Sequence, residues 1–368
     1  MGTVGTGPAT VDAGATPAAS QTAAAPSTLT TTGTATESVK STAPPTLTAT
    51  PSETATPTET ATATPTLHPL SIAAMRQRSY PGSDVVIEQT LEPGVGYRQY
   101  IASYQSEGLK IYALLTVPDG KKPASGWPVI IFNHGFIPPA SYQTTTRYVA
   151  YVAALASHGY IVFKSDYRGH GNSQGVASGA YGSPDYVVDV LNALASMERY
   201  PDADPSRVGM WGHSMGGYIT LRAMVISHDI KAGVIWSGVV GSYADLIDHW
   251  HPRQPAEPPT PATPEFGDRG WRGWIALFGT PQQNPAFWDS ISATSFLGDL
   301  SGPLQLHHDL ADSEVPEAFS QTLYQDVLAA GKTAELYTYP GDDHNLANSF
   351  GAAMFRTILF FDKYVKGQ

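Results

Sequence analysis

Short apolar runs and longer amphipathic runs alternate along the chain from about residue 97 to its end. Two β-rich runs, Tyr100–Gln105 and Leu109–Val117, flank Ser106-Glu-Gly and predict an antiparallel hairpin at the edge of a sheet. Short and continuously apolar runs are typical of strands buried on both faces. Such runs occur at Pro128–Asn133 and Ala232–Trp236, and further strands are predicted at Tyr160–Lys164, Leu304–His308 and Ala334–Tyr339.

Helical patterns fill the spaces between these strands. They cover Arg147–Ala156, Pro184–Tyr200, Pro316–Ala330 and about Leu346–Tyr364. Strands that alternate with helices connect by right-handed crossovers, which build a mostly parallel sheet covered on both faces. The pattern therefore predicts an α/β fold with a mostly parallel central sheet and helices on both sides.

The alternation stops between residues 238 and 300. This stretch is rich in proline and then in tryptophan, and it separates two predicted sheet strands. Because it leaves one strand end and returns to the next, we expect a small cap over the carboxyl ends of the strands. A structureless loop of this length would be unusual, so we predict short helices near residues 268–278 and 284–292.

The first 66 residues have a different composition from the rest of the chain. They are almost wholly Thr, Ala, Pro, Ser and Gly, with too few large apolar groups to offset the entropy of ordering. We predict a disordered stalk at residues 1–66, a lead-in segment at 67–96 and one α/β domain at 97–368. Such stalks are typical of bacterial surface proteins. We therefore expect an extracellular or surface-tethered protein whose leader is absent from this sequence.

Charge and cysteine content exclude several kinds of partner and chemistry. The net charge is −11 without a basic cluster, which argues against binding to nucleic acid or to an anionic membrane surface. The chain has no cysteine, so a thiolate nucleophile is unavailable. No apolar run approaches ~20 residues, so no membrane span is predicted. The histidines lack a second ligand set at familiar spacing, so we expect neither a metal nor a cofactor.

The stretch Val208–Leu221 is read as a strand, a sharp turn and a helix around Gly212-His-Ser-Met-Gly216. A Gly-x-Ser-x-Gly turn in this context holds the serine hydroxyl clear of the backbone at the carboxyl end of a sheet. The glycines leave room where side chains would clash. Ser214 is therefore the predicted nucleophile.

A serine hydroxyl needs a base within hydrogen-bond reach and an acid that orients the base. His344 follows the last predicted strand, and the chain order serine, acid, histidine is the order of the α/β-hydrolase fold. The acid is expected on the loop after the preceding strand. Asp312 is favoured there because its side chain can turn back toward His344, with Asp309 as the main rival and a helix cap as the structural alternative.

The negative oxygen of a tetrahedral intermediate requires two preformed N–H donors, together called the oxyanion hole. The turn geometry assigns one to Met215, and the loop after the strand ending at Asn133 assigns the other to Phe136. Four tryptophans could line a substrate pocket, and burial for packing is an equally good explanation of them. The pocket candidates are Trp236, Trp271, Trp274 and Trp288.

Five motifs together resemble the catalytic domain of the prolyl oligopeptidase (S9) family and its dienelactone-hydrolase and esterase relatives. They are His134-Gly, Asp166-Tyr-Arg-Gly-His-Gly-Asn-Ser, Gly212-His-Ser-Met-Gly-Gly-Tyr, Asp312-Ser-Glu-Val-Pro and Gly341-Asp-Asp-His344, and they lie within residues 97–367. The Asp-x-x-Val-Pro loop of these families favours Asp312 over Asp309. Two departures stand out: there is no β-propeller before the domain, and His308-Asp309 replaces a frequent His-Gly.

The resemblance implies an α/β-hydrolase fold and an acyl-enzyme mechanism that needs no cofactor. It implies a serine hydrolase that cleaves an ester or a peptide or amide bond in a small-molecule ester or a short peptide. A carboxylesterase without peptidase activity is the alternative within this class. A non-catalytic binding module or an acyltransferase on the same fold is the alternative of another class. The sequence leaves the oligomeric state open.

Overall fold

A nine-stranded sheet forms the centre of the computed structural model, which describes residues 67–251 and 268–368. The predicted stalk at residues 1–66 lies outside the described residues. The strands are β1 (Val86–Thr90), β2 (Tyr97–Ser106), β3 (Leu109–Pro118), β4 (Trp127–Asn133), β5 (Ile161–Ser165), β6 (Ala203–His213), β7 (Ile230–Trp236), β8 (Leu304–Asp309) and β9 (Ala334–Tyr339).

The strands are ordered β1-β2-β3-β5-β4-β6-β7-β8-β9. From β5 to β9 all neighbours pair in parallel, whereas β1, β2, β3 and β5 pair antiparallel. This arrangement confirms the predicted mostly parallel sheet and the hairpin of β2 and β3. The prediction that this hairpin forms the sheet edge is wrong, because β1 pairs outside β2. All five residues of β1 are exposed, so they lack the apolar alternation that marks a strand in sequence.

Helices cover both faces of the sheet. They are α1 (Ile72–Gln77), α2 (Val149–Ser157), α3 (Asp185–Met197), α4 (Met215–Ile226), α5 (Tyr243–His249), α6 (Asp268–Phe278), α7 (Pro285–Ile291), α8 (Glu317–Ala329) and α9 (Phe350–Phe361). Side chains of α3, α4 and α8 pack into one hydrophobic core, and those of α2 and α9 pack into a second. The sheet separates the two cores, as expected of a parallel sheet whose strands are apolar on both faces. Within the described ranges, no helix is long and apolar enough to cross a bilayer.

The insertion between β7 and β8 contains the two helices predicted from its sequence, α6 and α7. It also contains α5, which the sequence analysis did not predict. Helix α5 begins with a capping box, in which Ser242 and Asp245 satisfy each other's backbone N–H groups. The indole N–H of Trp250, just after α5, donates to the carbonyl of Glu314 at 2.9 Å. The insertion is therefore bonded to the loop that follows β8.

The lead-in segment docks onto the middle of helix α4 through Arg222. This side chain is fully buried, and its guanidinium donates to the carbonyl oxygens of Leu70, in the lead-in, and Ile291, at the end of α7. It also lies over the ring of Tyr218, 5.4 Å from the centroid. One buried cation thus ties the lead-in and the insertion to the helix that follows Ser214.

Replacing Arg222 with alanine is expected to lower the free energy of unfolding by about 2 kcal/mol, because two buried carbonyls lose their donor. Urea unfolding followed by circular dichroism measures this change. The exposed Arg199→Ala variant is the control and should unfold within about 0.5 kcal/mol of the wild-type protein. An Arg222→Ala midpoint equal to that of the control would contradict the docking role.

Candidate active site

Ser214 is the single residue between β6 and α4, and its backbone angles are rare for residues other than glycine. Its φ is 55° and its ψ is −118°. A Cβ atom on Gly216 would lie 1.9 Å from the carbonyl oxygen of Asn133, and one on Gly212 would lie 2.2 Å from the carbonyl oxygen of Gly216. Glycine is therefore required at both positions for the strand, the turn and the helix to approach this closely. The predicted sharp turn is present, and Ser214 is half-buried at its tip.

A buried acid–base pair joins the loops after β8 and β9. The Nδ1 atom of His344 lies 2.7 Å from Oδ2 of Asp312, and the Asp312 side chain has no exposed area. The other carboxylate oxygen accepts the backbone N–H groups of Glu314 at 2.8 Å and Val315 at 3.1 Å. With both its oxygens occupied, Asp312 is fixed in position and can orient the imidazole of His344.

Hydrogen bonds keep the Asp312 carboxylate ionised despite its burial. Burial alone raises the pKa of Asp312, but hydrogen bonds from His308 and His344 outweigh it and hold the pKa well below its usual range. Nε2 of His308 lies 3.2 Å from Oδ2 of Asp312. The same Nε2 atom donates to the carbonyl of Val315, and Nδ1 accepts from the hydroxyl of Ser320. His308 is thus a second donor to the acid.

Asp309, the rival acid, has a different set of partners. It is fully buried, and its two oxygens accept the backbone N–H groups of Asp342 at 3.0 Å and Ala311 at 3.1 Å. The Asp309 carboxylate therefore ties the loop that follows β8 to the loop that carries His344. The structure places Asp312, rather than Asp309, against His344.

The loop that carries His344 is shaped by two further carboxylates. Asp342 accepts the backbone N–H groups of Asn348 at 2.9 Å and Ser349 at 2.7 Å, just before α9. Asp343 accepts those of Asn345 and Ala347. Both side chains are engaged with backbone, as expected for turn residues.

The base lies beside the residue that precedes Ser214. The rings of His213 and His344 have centroids 4.7 Å apart, and Nε2 of His213 donates to the carbonyl of His344 at 2.9 Å. Nε2 of His344 lies 3.9 Å from Oε2 of the exposed Glu314 side chain. Among the described residues, the Ser214 hydroxyl has no hydrogen-bond partner.

The two backbone donors predicted for a negative oxygen are the N–H groups of Met215 and Phe136. Met215 is the first residue of α4, so its N–H has no partner within the helix. The N–H of Gly135 is occupied by the Tyr148 hydroxyl at 2.9 Å. The N–H of the next residue, Phe136, has no acceptor in the described part of the chain.

Two residues at this site, Tyr148 and His213, were not singled out from the sequence. Oη of Tyr148 lies 2.8 Å from Nδ1 of His213, whose other ring nitrogen holds the carbonyl of His344. His213 stands within the Gly-x-Ser-x-Gly turn, so its position was a signal for a role at the site. Tyr148 is 66 residues upstream of Ser214 and no motif marks it, so the sequence carries no comparable signal.

The four candidate pocket tryptophans are mainly packing residues. Trp236 is fully buried in the second core and donates its indole N–H to Thr357 at 3.1 Å. Trp271 and Trp288 are 6% and 2% exposed, and Trp274 is half-buried against Phe278 and Phe287. Trp288 also lines a cavity of about 250 Å³, which Ser214 and His344 do not line. The structure thus favours packing, the alternative to a substrate pocket.

The sheet order and the comparisons with known proteins define the fold: the chain has the α/β-hydrolase fold, which known peptidases and esterases share. Residues 128–254, about a third of the chain, match the family described as serine aminopeptidase, S33. This segment runs from β4 to just beyond α5 and contains the turn around Ser214.

Known relatives include both peptidases and esterases. An uncharacterized peptidase of Bacillus subtilis, YuxL, is 26% identical over 256 residues, which are 66% of this chain but 35% of the relative. The acylaminoacyl peptidase of Pyrococcus horikoshii superposes with a TM-score of 0.58 at 22% identity, over 76% of this chain and 43% of that one. The acetyl xylan esterase from Paenibacillus sp. R4 superposes with a TM-score of 0.59 at 18% identity, over 78% and 91%. The chain thus spans about a third of the curated relative's length.

Proposed function

We propose that the protein hydrolyses an ester or a peptide or amide bond through an acyl-enzyme formed on Ser214. In this proposal His344 is the general base and acid, Asp312 orients it, and the three form a catalytic triad. The observation that carries the proposal is the buried 2.7 Å contact between Asp312 and His344, beside the turn that exposes Ser214. The N–H groups of Met215 and Phe136 form the oxyanion hole.

The reaction begins when the Ser214 oxygen attacks the substrate carbonyl and His344 takes the hydroxyl proton at Nε2. The carbonyl oxygen becomes negative and is stabilised by the two N–H groups. Nδ1 of His344 keeps its proton and shares it with Asp312, whose negative charge stabilises the imidazolium. His344 then protonates the leaving alcohol or amine as its bond to carbon breaks. Water repeats the sequence on the acyl-enzyme and releases the acid.

The leaving group decides between the peptidase and the carboxylesterase alternatives. An amine is a poorer leaving group than an alcohol and must be protonated as it departs. Initial rates on p-nitrophenyl esters of rising chain length and on aminoacyl and prolyl anilides separate the two. A peptidase should cleave at least one anilide with a kcat/KM within about 100-fold of that for its best ester. Turnover confined to esters would support the carboxylesterase alternative, and turnover of neither class would contradict the proposal.

Location outside the cell is a separate proposal that rests on composition alone. The Thr-, Ala- and Pro-rich residues 1–66 suit an extended spacer between a cell surface and the hydrolase domain. Immunodetection in fractions of the source cells tests this. Recovery with the wall or the medium is expected, and recovery only with the cytosol would contradict the proposal.

A further inference from the structure

A chain of three hydrogen bonds runs past Ser214 without including it. The Gly135 N–H lies 2.9 Å from Oη of Tyr148, this oxygen lies 2.8 Å from Nδ1 of His213, and Nε2 of His213 lies 2.9 Å from the carbonyl oxygen of His344. The chain starts on the loop of the proposed oxyanion hole and ends on the residue proposed as the base. It therefore connects two catalytic loops through the residue next to the nucleophile.

The direction of each hydrogen bond in this chain is fixed. A carbonyl oxygen can only accept, so Nε2 of His213 carries a proton. Burial, reinforced by the nearby His344, lowers the pKa of His213 to about 3, so the ring is neutral and Nδ1 is an acceptor. The Tyr148 hydroxyl must then donate to Nδ1, and its oxygen accepts from Gly135. Every donor has one acceptor, and the two side chains are held in one arrangement.

Tyr148 adopts a backbone conformation that is costly for its residue type. It precedes α2 with a φ of 61° and a ψ of 23°, in the left-handed region. Bulky side chains rarely adopt this region, and such strain persists only where the surroundings enforce it. The ring of Tyr148 packs edge-on against Phe132, with centroids 5.5 Å apart. Gly135 complements it, since a Cβ there would lie 2.8 Å from the Tyr148 hydroxyl and 3.1 Å from Cβ of Ser214.

A second tyrosine, Tyr151 of α2, contacts the loop that carries His344. The hydroxyl of Tyr151 donates to the carbonyl of Asn345 at 2.8 Å, one residue after His344. Two consecutive carbonyls of the loop that carries His344, those of residues 344 and 345, thus accept hydrogen bonds, one from His213 at the end of β6 and one from Tyr151 of α2.

We propose that Tyr148 and His213 are positioning residues that hold His344 in register with Ser214 and with the oxyanion loop. The inference rests on the proposed function. The two side chains do not exchange protons with the substrate in this role. They fix the backbone from which the imidazole extends, because the peptide group of His344 cannot shift without breaking the bond from His213. Misplacement of a catalytic group by a fraction of an ångström lowers the rate of the chemical step more than it lowers binding.

Two amide substitutions at His213 each keep one of its two hydrogen bonds and remove the other. In His213→Gln the amide nitrogen can occupy the place of Nε2 and donate to the carbonyl of His344. In His213→Asn the amide reaches only the place of Nδ1, so the bond to Tyr148 can form and the bond to His344 is lost. We expect His213→Asn to lower kcat about 10-fold with KM within about 2-fold of wild type, as for one lost hydrogen bond at the transition state. His213→Gln should keep kcat within about 3-fold.

Tyr148→Phe removes the middle of the chain and provides an independent test. Its kcat should fall about 10-fold with little change in KM, because two bonds are lost together: His213 loses its donor and Gly135, on the proposed oxyanion loop, also loses its acceptor, which it keeps in His213→Gln. Tyr160→Phe is the matched control, because that hydroxyl binds Asp362 far along the chain and lies outside the site. Its kcat should equal that of the wild-type protein.

Steady-state kinetics on the best ester, with unfolding midpoints for each variant, decide the outcome. Equal kcat values for His213→Gln and His213→Asn, or a Tyr148→Phe variant with wild-type kcat, would overturn the inference. If His213→Asn fails to fold, the Tyr148→Phe result decides alone. If the wild-type protein hydrolyses the ester but the variants do not show the expected kcat values, the inference fails and the proposed function stands. A wild-type protein without turnover overturns both.

Discussion

Replacing Ser214 with alanine is expected to lower kcat by about 10⁴-fold or more and to leave stability almost unchanged. The loss is large because no acyl-enzyme can form without the hydroxyl. Stability should change by less than about 0.5 kcal/mol, because the Ser214 hydroxyl has no hydrogen-bond partner among the described residues. The backbone strain at φ 55° is the same for alanine and serine, since both have a Cβ.

The measurement is ester hydrolysis under saturating substrate, together with urea unfolding of each protein. Ser237→Ala is the matched control: Ser237 follows β7, is fully buried, has a φ of 45°, and its hydroxyl also lacks a hydrogen-bond partner in the described ranges. That variant should keep kcat within about 3-fold of wild type. Residual activity of Ser214→Ala at the level of Ser237→Ala would mean that another group is the nucleophile.

The Asp312→Asn variant has the second-largest expected effect, a loss of about 10³- to 10⁴-fold in kcat. An amide in this place can present its NH₂ group to Nδ1 of His344. The imidazole then adopts the tautomer that carries its proton on Nε2, and it can no longer accept the proton of Ser214. Because Oδ2 also receives a contact from His308, the same substitution disturbs two donors at once.

The Asp309→Asn variant distinguishes two effects on kcat: the loss of the carboxylate that orients His344 and a change in the structure of the loop. Asp309 accepts two backbone N–H groups and makes no contact with His344 within the described residues. Its substitution should lower stability by about 1–2 kcal/mol through the lost charged acceptor and lower kcat by about 10-fold at most. Steady-state kinetics of both variants give the answer. A larger loss of kcat in Asp309→Asn than in Asp312→Asn would make Asp309 the catalytic acid.

The stability difference between the wild-type protein and Asp312→Asn should also depend on pH in a defined direction. Folding lowers the pKa of Asp312, so the stabilisation from its ionised form is fully present above the ordinary carboxyl pKa. It is lost as the pH falls through the lower value of the folded state. The stability difference between the wild-type protein and Asp312→Asn should therefore be largest near neutral pH and narrow in acid. Urea midpoints measured across this range test the direction.

The turn around Ser214 was predictable because its geometry requires particular residues. The surrounding backbone leaves no room for a Cβ at Gly212 or Gly216, so the five-residue motif Gly-x-Ser-x-Gly is enough to predict the turn. The strands β4 and β7 were equally predictable, because burial on both faces makes them almost continuously apolar. The helices of the insertion followed from its length, although α5 was missed.

Other features depend on contacts that no local pattern records. Strand β1 is wholly exposed, so only its pairing with β2 makes it a strand. The choice between Asp309 and Asp312 depends on how the loop turns after β8, and both residues are equally plausible by spacing. The family resemblance favoured Asp312, and the 2.7 Å contact with His344 agrees with it. Tyr148 reaches the site only because α2 begins in a strained conformation.

The tryptophans show the limit of composition as a guide to binding. Aromatic residues in an insertion suit a substrate pocket or a packed interface equally well. The structure places Trp236 and Trp288 in the two cores, where they hold β7 and the insertion. Their burial depends on distant partners such as Thr357, which sequence position does not reveal.

Covalent labelling with a fluorophosphonate probe tests the central claim most directly, because the probe reacts only with a serine that a neighbouring base activates. Peptide mapping by mass spectrometry should find one adduct on Ser214 in the folded wild-type protein. Ser214→Ala and the urea-unfolded protein should stay unlabelled, and Asp312→Asn should label at least about 100-fold more slowly. A folded wild-type protein that remains unlabelled, or that carries the adduct on another residue, would contradict the account.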